Sequence, residues 1–509
     1  MKSSWRHTMS GQFQGSQEDI LSFFICLPQA SLKSQFRFSL LLKDSDIFEN
    51  QNLLSNLIGT LVKPNLTGRI EPYLASGWQV SEDEKKWIFP IPEGLADSFG
   101  DPITAQRFVA QLTNRLKWIS DSLGVVVFDK LVGWAEYTSA QAKTIRGLFH
   151  QDSSVVFQFS TPPQDLLEVL RMVYFGFWPE NHPHGVSLDE FSKFAFSGSF
   201  EIESVENNSQ ILLRRRGSSL SKSENGFDRV LVGVCSIDEV PDRLGVLVRI
   251  GSSLGQVPAD FSHLSAFTTA PTVLTAAILA ADNEESVFFD SKIRARFAAG
   301  IRAHLSAEVP QRAAYYFARG FYANSSRSWT YSEVGGEDSS QRVSDMIRVA
   351  LPDNLNAQMG EALRNSISIV ASQMGLKSEF EVVDRSQPDW RVQLTSNQHY
   401  DLRISSVDTG ATFIENAIQM MFCTQLGVSF PDPGDQVCRL LQAGGPSAME
   451  DRSLRLEIAQ KFEEIVNSQS AVVPLFHSGV LWLQSADLES LNESLGTNHP
   501  RLDLIRRSR

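Results

Sequence analysis

The chain lacks a long apolar run, an excess of basic charge and a cysteine framework, and each absence removes a class of function. A membrane-spanning helix needs roughly 20 consecutive apolar residues, and no stretch of the 509 residues approaches that. Forty-six Lys and Arg against 59 Asp and Glu leave a formal charge of −13. Nucleic-acid binders draw most of their affinity from basic stripes that neutralise phosphates, so the reading is of no nucleic-acid partner. The one basic run, Arg214-Arg215-Arg216, follows Ile211-Leu212-Leu213 and reads as the end of a strand.

Cys26, Cys235, Cys423 and Cys438 show no CxxC spacing, so zinc and thioredoxin-like chemistry lack their motif. Buried free thiols are the plain reading, although an exported protein could pair Cys423 with Cys438. HExxH and the phosphate-cradling Gly-Lys-Ser/Thr motif are absent. His182-Pro183-His184 reads as a loop turn rather than a chelate. Gly251-Ser252-Ser253-Leu254-Gly255 has the letters of a nucleophile elbow. An elbow needs a helix immediately after it, and Pro258 interrupts that segment. The chain is therefore read as no enzyme, with no cofactor and no metal.

What is present is an ordinary globular composition, 42% hydrophobic and 21% charged, in a chain too long for one core. Two or three lobes are expected. Residues 1–35 read as a polar tail. Within it, ILSFFICLPQAS (20–31) has the short apolar centre of a leader, although Glu18 and Asp19 stand where basic residues belong. FRFSLLL (36–42) reads as a first strand, and residues 50–62 as a helix with Leu53, Leu54, Leu57 and Leu61 on one face.

The stretch EPYLASGWQVSEDEKKWIFPIPEGLADSFGDPITAQRFVAQL (71–112) alternates like a hairpin and then turns helical. Trp78 and Val80 lead into the SEDEKK turn, and Trp87, Phe89 and Ile91 lead out of it. Thr104 is placed to cap a helix carrying Phe108, Val109, Leu112 and Leu116 on one side. Further strands are expected at 155–160, in a hairpin over 200–216, within 229–250, and at 378–384, 400–408 and 471–483. Helices are expected at 287–305, 354–375 and 456–469. Hairpins dominate the first half, and helices alternate with strands in the second, which fits an α/β protein with mixed sheets in more than one lobe.

These residues carry a resemblance. Pro72-Tyr73-Leu74-Ala75-Ser76-Gly77-Trp78, then Trp87-Ile88-Phe89, Glu93-Gly94 and Gly100-Asp101-Pro102-Ile103-Thr104-Ala105 resemble, in unbroken order, a pattern of the extracellular solute-binding proteins of family 5. These are the large oligopeptide, dipeptide and nickel receptors of ABC transporters. Phe196-Ser197-Gly198-Ser199-Phe200, Phe289-Asp290 with Ile293-Arg294, Phe317-Ala318-Arg319-Gly320-Phe321, Tyr400-Asp401-Leu402 and Val473-Pro474-Leu475-Phe476-His477 are similar to later motifs, over residues 36–485. The chain departs from the pattern at Ile91-Pro92, around Gly300-Ile301-Arg302, and at Ser199, where the family has proline.

The resemblance implies a periplasmic-binding-protein-like fold of the large three-lobed class (type II), with two main lobes joined by a hinge and an extra hairpin-rich subdomain. Lobe I would take about 36–58, 192–268 and 472–509, subdomain II about 59–191, and lobe III about 269–471. It implies a monomeric receptor that closes on a peptide or similar small solute and hands it to an ABC permease in the inner membrane. The location would be periplasmic or otherwise extracytoplasmic, with the cytoplasm as the alternative because the leader is unclear. The matching position for a carboxylate that anchors the peptide ammonium is Asp408, followed by Thr409. Asp408-Thr409-Gly410 is equally a plain strand-ending turn, and the family's wall tryptophan is replaced by Ser405. A sensor that keeps the fold and has lost transport is the alternative function.

Overall fold

The protein is described from a computed structural model. It describes residues 20–27, 53–65, 69–123, 126–163, 166–178, 191–207, 210–217, 226–236, 245–253, 264–268, 273–308, 345–352, 357–383, 399–408, 461–462, 464–465, 470–489 and 501–508. The architecture is α/β with mixed sheets, as expected.

The main sheet has eleven strands. They are β1 (Ile20–Leu27), β8 (Phe200–Asn207), β9 (Gln210–Arg215), β10 (Arg229–Ser236), β11 (Val246–Ser253), β12 (Ser265–Thr268), β13 (Val273–Leu279), β14 (Met346–Pro352), β15 (Lys377–Val383), β16 (Leu402–Asp408) and β17 (Val472–Gln484). Their order is β15-β14-β16-β13-β17-β11-β1-β10-β9-β8, and β12 also pairs with β17.

The segment read as part of an N-terminal tail is a strand in the interior of this sheet. β1 pairs in parallel with both β10 and β11, and Leu21 and Phe23 are fully buried. A parallel strand covered on both faces has no polar alternation, so the run ILSFFICL looks like a leader when periodicity alone is read. Phe23 stacks on Trp482 of β17 at 6.0 Å, while Phe24 belongs to a separate cluster with Leu231, Val246 and Val248 on the other face.

A smaller sheet holds β4 (Gln79–Val80), β5 (Lys86–Pro90), β7 (Ser154–Gln158) and β6 (Leu148–Gln151) in that order, beside the pair β2 (Val62–Pro64) and β3 (Ile70–Pro72). The hairpin expected around SEDEKK forms with Gln79 opposite Ile88 and Val80 opposite Trp87. Ser81 Oγ holds its turn, accepting from Lys86 N at 2.9 Å and bonding the Asp83 carboxylate at 2.6 Å. The Gly-Asp-Pro bend follows. Gly100 has φ +88°, and the buried Asp97 carboxylate accepts from Phe99 N and Asp101 N, both at 3.0 Å. Thr104 Oγ1 accepts from Arg107 N at 3.2 Å and opens helix α1 (Ala105–Leu123). Phe108, Leu112 and Leu116 are buried beneath it.

Of the helix expected over 50–62, residues 53–57 are helical and the chain then extends into β2. Pro64 disfavours a helical conformation at Lys63, where the chain is already extended in β2. Leu53, Leu54, Leu57 and Leu61 still share one core. The strand expected at 36–42 lies outside the described residues. The second half adds α2 (Ser291–Glu308) and α3 (Ala357–Gln373), which pack over β13, β14 and β16 through Phe297, Ile301, Leu363, Ile367, Val349 and Ile404. Gly375, at φ +71°, follows α3 and supplies the left-handed residue that ends a helix.

Candidate functional site

The strand that organises the candidate site is β17. Its first part, Val472–Ser478, pairs with β13, and its last part, Gly479–Gln484, pairs with β11. β12 pairs with Leu481–Gln484 as well, so β12 and β13 are successive partners along β17. The ribbon they make with β17 joins the two halves of the large sheet.

Strand direction brings the ends of several strands toward one place on β17. β16 runs antiparallel to β13 and ends with Asp408 opposite Val273, which is itself opposite Ser478. β14 and β15 run parallel to β16. From the other half, β11 ends with Ser253 opposite Gly479, and β1 and β10 run parallel to β11. The carboxyl ends of the parallel strands of both halves therefore come to the adjoining residues Ser478 and Gly479. Open α/β sheets bind ligands outside the carboxyl ends of their strands, and here two such sets converge on one strand.

Asp408 is the last residue of β16 at this convergence, whereas Thr409 lies outside the described residues. Ser405, which stands in the place of the wall tryptophan, is a strand residue opposite Ala276 and is buried. Ser406 Oγ and Thr275 Oγ1 share a hydrogen bond of 2.9 Å on the neighbouring register. His477 is a β17 residue opposite Leu274, one register from Ser478.

The far end of β16 is structural. Asp401 is buried, and its carboxylate accepts from Arg348 N at 2.8 Å, while its carbonyl accepts from Ala280 N at 2.9 Å. The motif Tyr400-Asp401-Leu402 thus ties β14, β16 and β13 together. Burial pushes the Arg403 guanidinium down to about 10, against the opposing pull of Asp282. Burial, helped by a hydrogen bond and charge from Glu381, pushes the Tyr400 hydroxyl up to about 12.

Trp178, Trp329, Trp390 and Trp482 are large enough to line a pocket, but most buried tryptophans simply pack. Trp178 is buried, donates from Nε1 to Val173 O at 2.9 Å, and supports the Arg115 guanidinium 4.8 Å above its ring. Trp482 stacks between Phe23 and Phe267, at 6.0 and 6.4 Å. Trp329, Trp390, His182 and His184 lie outside the described residues. Ser252 and Ser253 sit in the β11 ladder opposite Val480 and Gly479, and a nucleophile elbow instead displays its serine on a strained turn.

Arg214 bonds Glu201 at 2.9 Å, Arg215 bonds Phe227 O at 3.0 Å, and Arg216 donates to the carbonyls of Gly198 and Ala96. The run is strand and turn scaffolding. Among the described residues no group of three His, Cys, Asp or Glu is placed to hold a metal ion.

Sequence reasoning gave no sign of a buried ionic cluster around Tyr73. Lys63 Nζ sits 3.9 Å from the centre of the Tyr73 ring and donates to Ser55 O at 2.7 Å. Arg501 lies 5.3 Å from the same ring and pairs with the fully buried Asp503, Nε to Oδ1 at 2.9 Å. Tyr73 Oη shares a 2.6 Å hydrogen bond with Ser199 Oγ, where the related pattern has proline. Burial, then the Arg501 charge, lowers Lys63 to about 7 against the pull of Asp503. Burial, then Asp503, raises Tyr73 to about 12.

No family model matches the chain. A Haemophilus influenzae protein described as a binding protein is 41% identical over 61 residues, 12% of either chain. Solved structures match over nearly the whole length. The Haemophilus influenzae OppA complex with the peptide RPPGFSPFR superposes with a TM-score of 0.72 at 12% identity, covering 96% of this chain and 99% of that one. The substrate-binding domain of a Bacillus anthracis oligopeptide ABC transporter gives 0.73 at 15% identity over 96% and 99%. The Escherichia coli murein tripeptide binding protein MppA gives 0.71 at 12% over 97% and 99%. The chain has the fold of these substrate-binding proteins.

Proposed function

We propose that the protein is a solute-binding receptor of an ABC importer, which captures a peptide or similar small solute between two lobes and presents the closed form to a membrane permease. One lobe would hold β1, β8–β12 and the last part of β17, and the other β13–β16 and the first part of β17. The observation that carries the reading is the convergence of strand carboxyl ends from both halves at Ser478 and Gly479. A ribbon between two lobes lets them swing with few residues changing conformation, and a solute touching both lobes supplies the contacts that favour closure. No bond is made or broken.

In this reading Asp408 holds the α-ammonium of the solute, with Thr409 beside it. A charge-assisted hydrogen bond of that kind contributes roughly 1.5–3 kcal/mol. Receptor duty of this kind belongs outside the cytoplasmic membrane and is performed by a monomer.

A thermal-shift screen with di-, tri- and tetrapeptides, single amino acids and nickel–histidine tests the assignment. A trapped solute raises the melting temperature by mass action, by about 2.7 kcal/mol of added stability at one hundred times Kd. A flat response to every class would overturn it.

A further inference from the structure

Residues 501–508 pack beside the buried cluster around Tyr73, and their two halves are fastened differently. The second half is tied by backbone. Glu489 N donates to Arg506 O at 3.0 Å and Ser508 N to Asp487 O at 2.7 Å, while Arg506 and Arg507 bridge to Gly226 and Leu488. The first half is tied by side chains. Leu502 N donates to Asn56 Oδ1 at 3.0 Å, Arg501 Nη1 to Pro64 O at 3.2 Å, and the Arg215 guanidinium reaches Asp503 O at 3.4 Å. Leu502 and Asp503 are fully buried.

The seat of that first half brings cations together around one carboxylate. Asp503 is committed to Arg501, with Nε to Oδ1 at 2.9 Å and Nη2 to Oδ2 at 2.5 Å. Among the described residues the hydrogen bond of the buried Lys63 amine goes to Ser55 O, and its other neighbour is the Tyr73 ring. An ammonium has three N–H donors, so the neutral amine fits this place better than the charged one. Arg501 opposes a charge on Lys63 and Asp503 favours it. The other titratable groups of the cluster are Tyr73, Glu71 opposite Lys63 in the β2–β3 pair, and Arg215 and Arg216 at the end of β9. Asp97, Glu201 and Asp228 act on those two arginines.

We propose that residues 501–504 are a proton-operated strap, lifted from Asn56 and Pro64 when Lys63 is charged and seated when Lys63 is neutral. The backbone ties of residues 506–508 are the pivot. With the strap seated, an ammonium at Lys63 lacks acceptors and faces the like charge of Arg501 across the Tyr73 ring. With it lifted, water supplies those acceptors. Opening therefore takes up one proton at Lys63 Nζ. Its equilibrium constant falls about tenfold per pH unit between about 7 and the ordinary lysine value. This is a local opening, less costly than global unfolding, and it is independent of which solute the protein binds.

The test is hydrogen exchange of the full-length protein from pH 7.5 to 9.5, below the ordinary tyrosine value of about 10. Mass spectrometry with fragmentation resolves the single amides. Hydroxide catalyses exchange, so an amide freed by a pH-independent opening exchanges faster in proportion to hydroxide. At Leu502 the falling opening constant should cancel that rise and leave the rate level. That rate should also exceed the rates of Val230 and Val232 in β10, which are fully buried. Ser508, beyond the pivot, should follow hydroxide, and Lys63→Met should make Leu502 follow it too. A wild-type Leu502 that rises with hydroxide would overturn the proposal, because its opening takes up no proton. A Leu502 as slow as Val230 and Val232 would overturn it by showing that this residue opens only with the whole fold. A level rate at Ser508, or at Leu502 in Lys63→Met, would place the proton elsewhere and overturn it as well. The wild-type rates decide by themselves if Lys63→Met fails to fold.

Discussion

The ammonium of Lys63 lies 3.9 Å from the centre of the Tyr73 ring, in a cluster that is buried and shared with Arg501 and Asp503. A buried base whose pKa falls to about 7, chiefly through burial and then through Arg501, is easier to protonate in the unfolded chain than in the native one. Protonation therefore favours unfolding, and stability rises with pH between about 7 and the ordinary lysine value. The slope there approaches about 1.4 kcal/mol per pH unit. Denaturant titrations of the wild type and of Lys63→Met from pH 7 to 9.5 should show this slope in the first and its loss in the second. Above that window Tyr73 acts in the opposite direction, since its hydroxyl is raised to about 12 and ionises more readily when unfolded. Parallel curves for the two proteins would refute the cluster's titration.

Asp401 separates scaffold from site within one strand. Its buried carboxylate accepts from Arg348 N, so Asp401→Leu leaves that N–H without its acceptor and should cost about 1–3 kcal/mol in chemical denaturation. Asp408, at the other end of β16, should tolerate Asp408→Asn within about 0.5 kcal/mol. Equal losses at both positions would mean that Asp408 is also a scaffold residue.

Gly198 sits where two backbones meet. A Cβ there would lie 2.4 Å from Asn56 O and 2.5 Å from the Leu57 carbonyl carbon, and neither is the yielding end of a side chain. Gly198→Ala should lower the melting temperature sharply, with a cost of about 1–3 kcal/mol for overpacking. Gly77→Ala, which meets nothing within 4 Å, is the control. An unchanged melting temperature for Gly198→Ala would show that the turn at 196–200 has room the geometry denies.

Much of this architecture was legible in the residues, and the failures have physical causes. The hairpin around SEDEKK and the 200–216 hairpin could be read because each has strands of alternating character or a turn with the right residues. β1 could not, since a strand buried on both faces carries no period to distinguish it from a leader. The Lys63 cluster joins residues 437 apart, Arg501 and Pro64 among them, and no local pattern records such a meeting. Asp408 was found only through resemblance, and its place at the end of β16 gives that expectation a geometry to test.

The most direct measurement is small-angle X-ray scattering of the full-length protein with and without a saturating mixture of tri- and tetrapeptides. Lobes that shut on a solute at the Ser478–Gly479 crossing should reduce the radius of gyration of the wild type, and the Asp408→Asn protein should keep the larger value at the same peptide concentration. Superimposable wild-type profiles in the two conditions would contradict the account.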